Sequence, residues 1–218
     1  MKKLAMIGCG NIGRYHLNHF LQYDDVELVG FCDVIPERAQ AFAEEAHSRA
    51  FTDYHEMYDA VRPDMVFICV PPTEHGEIEL ETIRRGIHLF VEKPVALDAA
   101  LAKRLRDAIR GAGLISASGF QLRYETAMDP LRAFAASHPV VRVDTARMGG
   151  VPDTPWWKVR ATSGGQIVEQ TIHQFDLIRY IMGEPDTVFT MGRRGIVRDV
   201  EGMDTEDLSA TVARFKSG

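Results

Sequence analysis

Two patterns of apolar spacing divide this chain. Up to about residue 121, short apolar runs alternate with stretches whose apolar positions recur every three or four residues. Runs at residues 3–7, 26–33, 49–51, 64–70, 87–91 and 114–119 predict strands. Residues 64–70 are continuously apolar after Asp64, as in a strand buried on both faces of a parallel sheet. Between the runs the helical period takes over. Ile12, Tyr15, His16, His19 and Phe20 recur at helical spacing after the first run. Pro36 opens a helix that residues 39–46 continue, proline being tolerated in a first turn. Thr52 or Asp53 caps a short helix through Val61, residues 76–86 form another, and Asp98 caps a long one to about Ala112. Strands alternating with helices predict a right-handed, doubly wound parallel sheet.

Beyond about residue 122 the alternation stops. Residues 124–137 read as a helix bent or restarted near Asp129-Pro130, residues 140–148 alternate as a strand, and residues 149–160 form a loop holding Trp156-Trp157. Residues 166–182 read as a strong helix stopped by Gly183 and Pro185, followed by antiparallel strands at 187–193 and 208–215. The expected fold class is therefore α/β, a Rossmann-type doubly wound parallel sheet in residues 1–121, followed by an α+β domain with an open, mainly antiparallel sheet in residues 122–218. A strand ending near Phe215 would leave an open sheet edge, which proteins normally pair, cover or charge. The chain is accordingly expected to be part of a longer protein, its second domain truncated.

Composition narrows the classes of function. A hydrophobic content of 45% and a charged content of 26% are ordinary for a soluble globular protein. No window reaches the ~18 consecutive apolar residues of a membrane helix, and the apolar run after Lys2-Lys3 is too short for a signal peptide. A cytoplasmic protein without membrane contact is the expectation. A net charge of −6 with no Lys/Arg cluster argues against a nucleic-acid surface. Cys9, Cys32 and Cys69 fall singly at predicted strand ends without paired spacing, so they indicate neither a metal site nor a disulfide framework and read as small buried hydrophobes.

Chemistry-bearing residues gather where the predicted strands end. Gly8, Gly10 and Gly13 form a G-x-G-x-x-G turn between the first strand and the first helix. The first glycine turns the chain, the second lets backbone approach a pyrophosphate, and the third lets helix and strand pack closely. The pyrophosphate would sit on the N–H groups that Asn11 and Ile12 bring to the positive end of the helix dipole. A glycine turn alone is a weak signal. Its context is supplied by Asp33, which ends the second strand about 20 residues after Gly13. A carboxylate there accepts hydrogen bonds from both adenosine ribose hydroxyls and repels a 2′-phosphate, so NAD is the expected cofactor, with Arg38 near enough to keep NADP open.

Ligands on such sheets bind beyond the carboxyl ends of the strands. Pro71, Thr73, His75, Glu92 and Lys93 lie there and are candidate cofactor contacts, and Arg123 is a candidate substrate contact. An ammonium at Lys93 can stabilise alkoxide charge on a reacting oxygen; the bland alternative is a solvated lysine. In the helix at 166–182, Glu169, His173 and Asp176 stand at i, i+4 and i+7 and share one face, which Tyr180 extends. Three titratable groups in an apolar helix are costly if they only pack, the alternative being a hydrogen-bonded core histidine.

The ordered set (the glycine turn with Asp33, Pro71-Pro72-Thr73-Glu74-His75, Glu92-Lys93-Pro94 and the Gly-Gly…Glu…His-x-x-Asp helix) resembles the Gfo/Idh/MocA oxidoreductases, over residues 1 to about 185. That family includes inositol dehydrogenases, glucose–fructose oxidoreductase and many sugar dehydrogenases. The resemblance implies a nicotinamide-dependent dehydrogenase acting on a secondary hydroxyl of a sugar, cyclitol or related polyol. It implies that Lys93 and His173 line the substrate site as the catalytic pair, with Glu169 and Asp176 beside them. Position 169 departs from the commoner pattern, an aspartate four residues before the histidine; the glutamate reaches one methylene further, which bears on substrate geometry. Trp157 can wall a sugar ring or simply pack. Family members usually carry a dimer interface in a larger C-terminal sheet, so a homo-oligomer, a dimer or tetramer, is expected. Two other readings stay open: an NAD-dependent glycosidase that oxidises its substrate transiently, and a non-catalytic nucleotide-binding redox sensor, against which the Lys93 and His173 pair argues.

NAD is expected to bind more tightly than NADP, because Asp33 would face the 2′-phosphate. Calorimetry with both cofactors checks this: equal or tighter NADP binding refutes it, and Asp33→Ser should narrow the preference.

Overall fold

The alternation of the first regime is realised as a parallel sheet. The computed structural model describes residues 1–216, and the chain divides into two units, the first Met1–Gly119 and the second beginning at Phe120. In the first unit the strands are β1 (Lys2–Ile7), β2 (Val26–Cys32), β3 (Ala50–Phe51), β4 (Met65–Ile68), β5 (His88–Val91) and β6 (Ser116–Ser118). They are joined by helices α1 (Asn11–Phe20), α2 (Pro36–Glu45), α3 (Tyr54–Val61), α4 (Glu77–Arg84) and α5 (Ala99–Ala112). The order is β3-β2-β1-β4-β5-β6, every neighbouring pair parallel. The chain starts at β1, works outward to β3 and then crosses back to β4. The strand order thus reverses between β1 and β4, the point at which doubly wound sheets open a crevice at their carboxyl ends.

Strand period decides which side chains each layer receives. Leu4 and Met6 face one side, with Leu17 of α1 and Ala39 and Phe42 of α2. Ala5 and Ile7 face the other, with Met57 and Tyr58 of α3, Leu80 and Ile83 of α4, and Leu105 of α5. Both faces of the sheet are covered, which accounts for the continuous apolar run of β4. Caps set the helix starts: the Asp53 carboxylate accepts from the N–H groups of His55 and Glu56, and the Asp98 carboxylate from that of Leu101.

The glycine turn lets α1 lie on this sheet. At Gly8, whose φ is +91°, an added Cβ would lie 2.3 Å from the carbonyl oxygen of Cys69. At Gly13 it would lie 2.3 Å from the carbonyl oxygen of Gly8. Both contacts are with backbone, which cannot move aside as a side chain can.

The second unit holds α6 (Met128–Ser137), α7 (Arg160–Ser163), α8 (Ile172–Met182) and an antiparallel pair, β7 (Pro185–Arg193) with β8 (Leu208–Phe215). Three expectations are corrected here. The helix expected over 124–137 is two pieces, a tight 3-10 turn at Gln121–Tyr124 and then α6. Pro130 sits in the first turn of α6, where its missing N–H has no intrahelical acceptor to lose, so it starts the helix rather than bending it. Residues 140–148 form no strand: Val141 is 98% exposed, and no described residue pairs with this stretch in a ladder. Alternation specifies a face but not a partner, and a strand needs both. The helix expected over 166–182 opens with a wide π-helical turn, Ile167–Thr171, before α8 begins. Ser217 and Gly218, the end of the expected second domain, lie outside the described residues. Among the described residues no helix is long and apolar enough to cross a membrane.

Glycine substitutions separate close packing from backbone preference. Gly13→Ala should cost about 2 kcal/mol or more in urea unfolding, the scale of a forced overpacking. Gly111→Ala, in α5 with nothing within 4 Å of its Cβ position, should instead stabilise by about 0.5 kcal/mol.

Candidate functional site

In the first unit the candidate nucleotide site is built on backbone. Gly10 is the N-cap of α1; no side chain caps this helix start and no acid lies in its first turn. The intrahelical ladder begins at the Arg14 N–H, which donates to the Gly10 carbonyl at 2.8 Å. The amides of Asn11, Ile12 and Gly13 therefore have no acceptor within the helix and stand at its positive end. Nothing lies within 4 Å of the position a Gly10 Cβ would take, so the approach is open. Asp33 clasps this turn: one carboxylate oxygen accepts the Cys9 N–H at 2.7 Å and the other the Ile35 N–H at 2.9 Å. Each oxygen keeps a second lone pair, which suits a ribose hydroxyl. Arg38 is exposed nearby in sequence.

The three cysteines sit under this turn as inert thiols. Burial pushes the Cys9 thiol up to about 12, helped by the negative charge of Asp33. Burial and Asp53 do the same to Cys32, also to about 12, and burial with Glu92 raises Cys69 further.

At the ends of β4 and β5 the expected contacts fall into two groups. Pro71 is partly exposed and Thr73 exposed, its hydroxyl donating to the Glu74 carboxylate at 2.9 Å. His75 instead turns inward. Its side chain is fully enclosed, with Nδ1 2.6 Å from Glu79, whose other oxygen accepts the Gly76 N–H at 2.6 Å. Through Nδ1 the ring pairs with the Glu79 carboxylate that caps α4, which leaves the imidazole buried. Glu92 is also held from within: one oxygen is 2.8 Å from Nε2 of His16 on α1, and the other accepts the Lys93 N–H at 3.0 Å. Lys93 is partly buried and precedes a cis peptide to Pro94.

In the second unit Glu169 lies in the π-helical turn, buried to 8% exposure, and His173 in the first turn of α8 meets the Phe120 ring edge-on at 6.3 Å. Asp176 is gripped by Arg123 through a two-pronged pair, Nε donating to one oxygen at 2.6 Å and Nη2 to the other. The same guanidinium lies over the Tyr180 ring, 5.1 Å from its centroid, and the Tyr180 hydroxyl donates to Asp129 of α6 at 2.9 Å. Asp176 and Arg123, read from sequence as two separate substrate contacts, are thus one ion pair. Trp157 is only 6% exposed, so most of its ring packs inside the unit. Gly165, at φ +91°, leaves room for the buried Glu206 carboxylate, which would be 2.9 Å from an added Cβ and pairs with Arg160.

Sequence reasoning missed three partners: His16, Glu79 and Glu206. Glu79 had a signal, since Gly76-x-x-Glu79 is a capping-box spacing and His75 stands four residues before it. His16 stood on the apolar face of α1, but its partner is 76 residues away. Glu206 had none.

Residues 2–120 match the model of the "Oxidoreductase family, NAD-binding Rossmann fold", and residues 136–218 that of the "GFO/IDH/MocA C-terminal domain". The chain is 30% identical to myo-inositol 2-dehydrogenase of Thermotoga maritima over 99% of its own length and 66% of that protein's. It is 30% identical to D-glucoside 3-dehydrogenase of Escherichia coli over 84% of its length and 54% of that protein's. A crystal structure described as a "probable dehydrogenase" from Thermotoga maritima superposes with a TM-score of 0.87 at 29% identity, covering 99% of this chain and 66% of that one. The chain thus spans between about half and two thirds of the length of these curated relatives.

Folded-state thiols should resist alkylation at pH 8 and react only on unfolding. Unfolded cysteines lose their protons near pH 9 and the folded Cys9 and Cys32 near 12. Between those values the folded state holds more protons, so stability should fall as pH rises through that window. Fast labelling of Cys9 in the folded protein, read by mass spectrometry, would contradict the burial argument.

Proposed function

The chain belongs to the Gfo/Idh/MocA family of oxidoreductases, and from that premise we propose that it serves an NAD-dependent oxidation of a secondary hydroxyl on a polyol or sugar. The observation that carries this reading is the uncapped glycine turn clasped by Asp33, a fitting cradle for an anionic dinucleotide. The two relatives named as dehydrogenases of myo-inositol and of D-glucosides support the substrate class and favour net oxidation over transient oxidation or sensing. Pro71 and Thr73 extend the cofactor contacts. The setting is a homo-oligomer in the cytoplasm, handling a small molecule rather than nucleic acid or membrane.

Bound NAD supplies a ring that accepts hydride. The chain's own residues do the rest. His173 takes the hydroxyl proton as general base, a role that imidazole fills near neutral pH. Glu169, one turn earlier, orients the ring and stabilises its protonated form. Lys93 holds the hydroxyl and favours the alkoxide by its charge. Asp176 accepts from a neighbouring substrate hydroxyl through the lone pairs that Arg123 leaves it, while Arg123 fixes the carboxylate's direction.

His173→Ala and Lys93→Ala should each lower kcat by ~10²-fold or more, with NAD affinity barely changed, because neither residue touches the adenosine half. Asp176→Ala should act mainly on KM. The readout is NADH production with myo-inositol and a panel of sugars. Wild-type kcat in folded His173→Ala removes His173 as the base.

A further inference from the structure

The Glu92 carboxylate is enclosed by three elements of the first unit. Oε1 meets Nε2 of His16 on α1 at 2.8 Å, and Oε2 accepts the Lys93 backbone N–H at 3.0 Å. Beside it, just past the end of β6, is Gly119, where an added Cβ would lie 2.4 Å from Oε2. A carboxylate only accepts hydrogen bonds, so Nε2 carries the hydrogen and His16 is the donor. The imidazole is itself held among aromatic rings, with Phe67 of β4 and Phe90 of β5 edge-on at 5.4 and 5.2 Å and Phe20 stacked at 6.2 Å. These rings leave it little freedom to turn away, and a donor fixed in apolar surroundings holds its acceptor more firmly than one in water.

We infer that His16 is a positioning residue: by fixing Glu92 it fixes the backbone at Lys93. This rests on the reading of Lys93 as a catalytic group. It also gives α1 a second task. The helix whose first amides are offered to the pyrophosphate holds, one and a half turns later, the carboxylate that orients the Lys93 turn. Seating of the cofactor and placement of the lysine are then set by one rigid element.

Hydrogen exchange of the Lys93 amide, followed by NMR, tests the inference without turnover. His16→Leu should speed that exchange by about tenfold, the scale of one lost hydrogen bond to a charged group. His16→Gln, whose amide nitrogen can stand where Nε2 stands, should restore it. His16→Asn is too short to reach and serves as a second defective variant if the leucine disturbs folding. In assays with NAD and myo-inositol, the defective variants should lose kcat by ~10-fold or more with KM little changed, within the range that misplacement of a reacting group costs. Unchanged Lys93 exchange in the defective variants overturns the inference, as does equal exchange in His16→Leu and His16→Gln, which would mean packing alone. Wild-type kcat in Lys93→Ala would instead refute the catalytic role of Lys93 and leave the exchange result standing on its own.

Discussion

Close approach of backbone to backbone at the glycine turn is the constraint on which the first unit depends. Gly8 presses against the Cys69 carbonyl and Gly13 against the Gly8 carbonyl, at distances no Cβ could share. This contact puts the start of α1 at the junction of β1 and β4, where the strand order reverses. The helix start therefore stands at the carboxyl ends of these two strands. The same contact sets the depth at which α1 crosses the sheet, and so brings His16 down to Glu92. Electrostatics at this site follow from a steric fact.

Buried and partly buried carboxylates then fasten the ends of the elements. Taking a carboxylate out of water is costly unless its lone pairs are met. Asp33 meets the amides of Cys9 and Ile35, Glu79 meets His75 and the Gly76 amide, and Glu92 meets His16 and the Lys93 amide. The second unit repeats the device with guanidinium donors, Arg123 on Asp176 and Arg160 on Glu206. In four of these five cases the carboxylate ties together segments distant in sequence; the Glu79 pair works within one helix cap. Such pairs add modestly to stability. Their larger effect is directional, because a carboxylate with two fixed donors holds the backbone or side chain beside it in one orientation.

Much of this was legible in the residues alone. The doubly wound sheet, the glycine turn, Asp33 and the final antiparallel pair rest on local signals: apolar period, glycine spacing, and a strand ending in an acid. The failures were also of one kind. Residues 140–148 alternate like a strand yet have no described partner, and the helix over 166–182 opens with a π-helical turn that its apolar spacing did not announce. Of the two effects that Asp129-Pro130 left open, a bend or a restart, the structure shows the restart, since proline bends a helix only from the interior.

Sequence by itself determined which residue types stand at the strand ends, because strand length and helix length are written in the spacing of apolar side chains. How those residues are turned and what they pair with was decided only by tertiary structure. His75 and Glu92 occupy the right ends of the right strands and are turned inward by partners at 79 and 16. Asp176 and Arg123 are 53 residues apart and act as one group. A side chain's direction depends on what is packed opposite it, and that neighbour is brought there by the path of the chain, which no local pattern encodes.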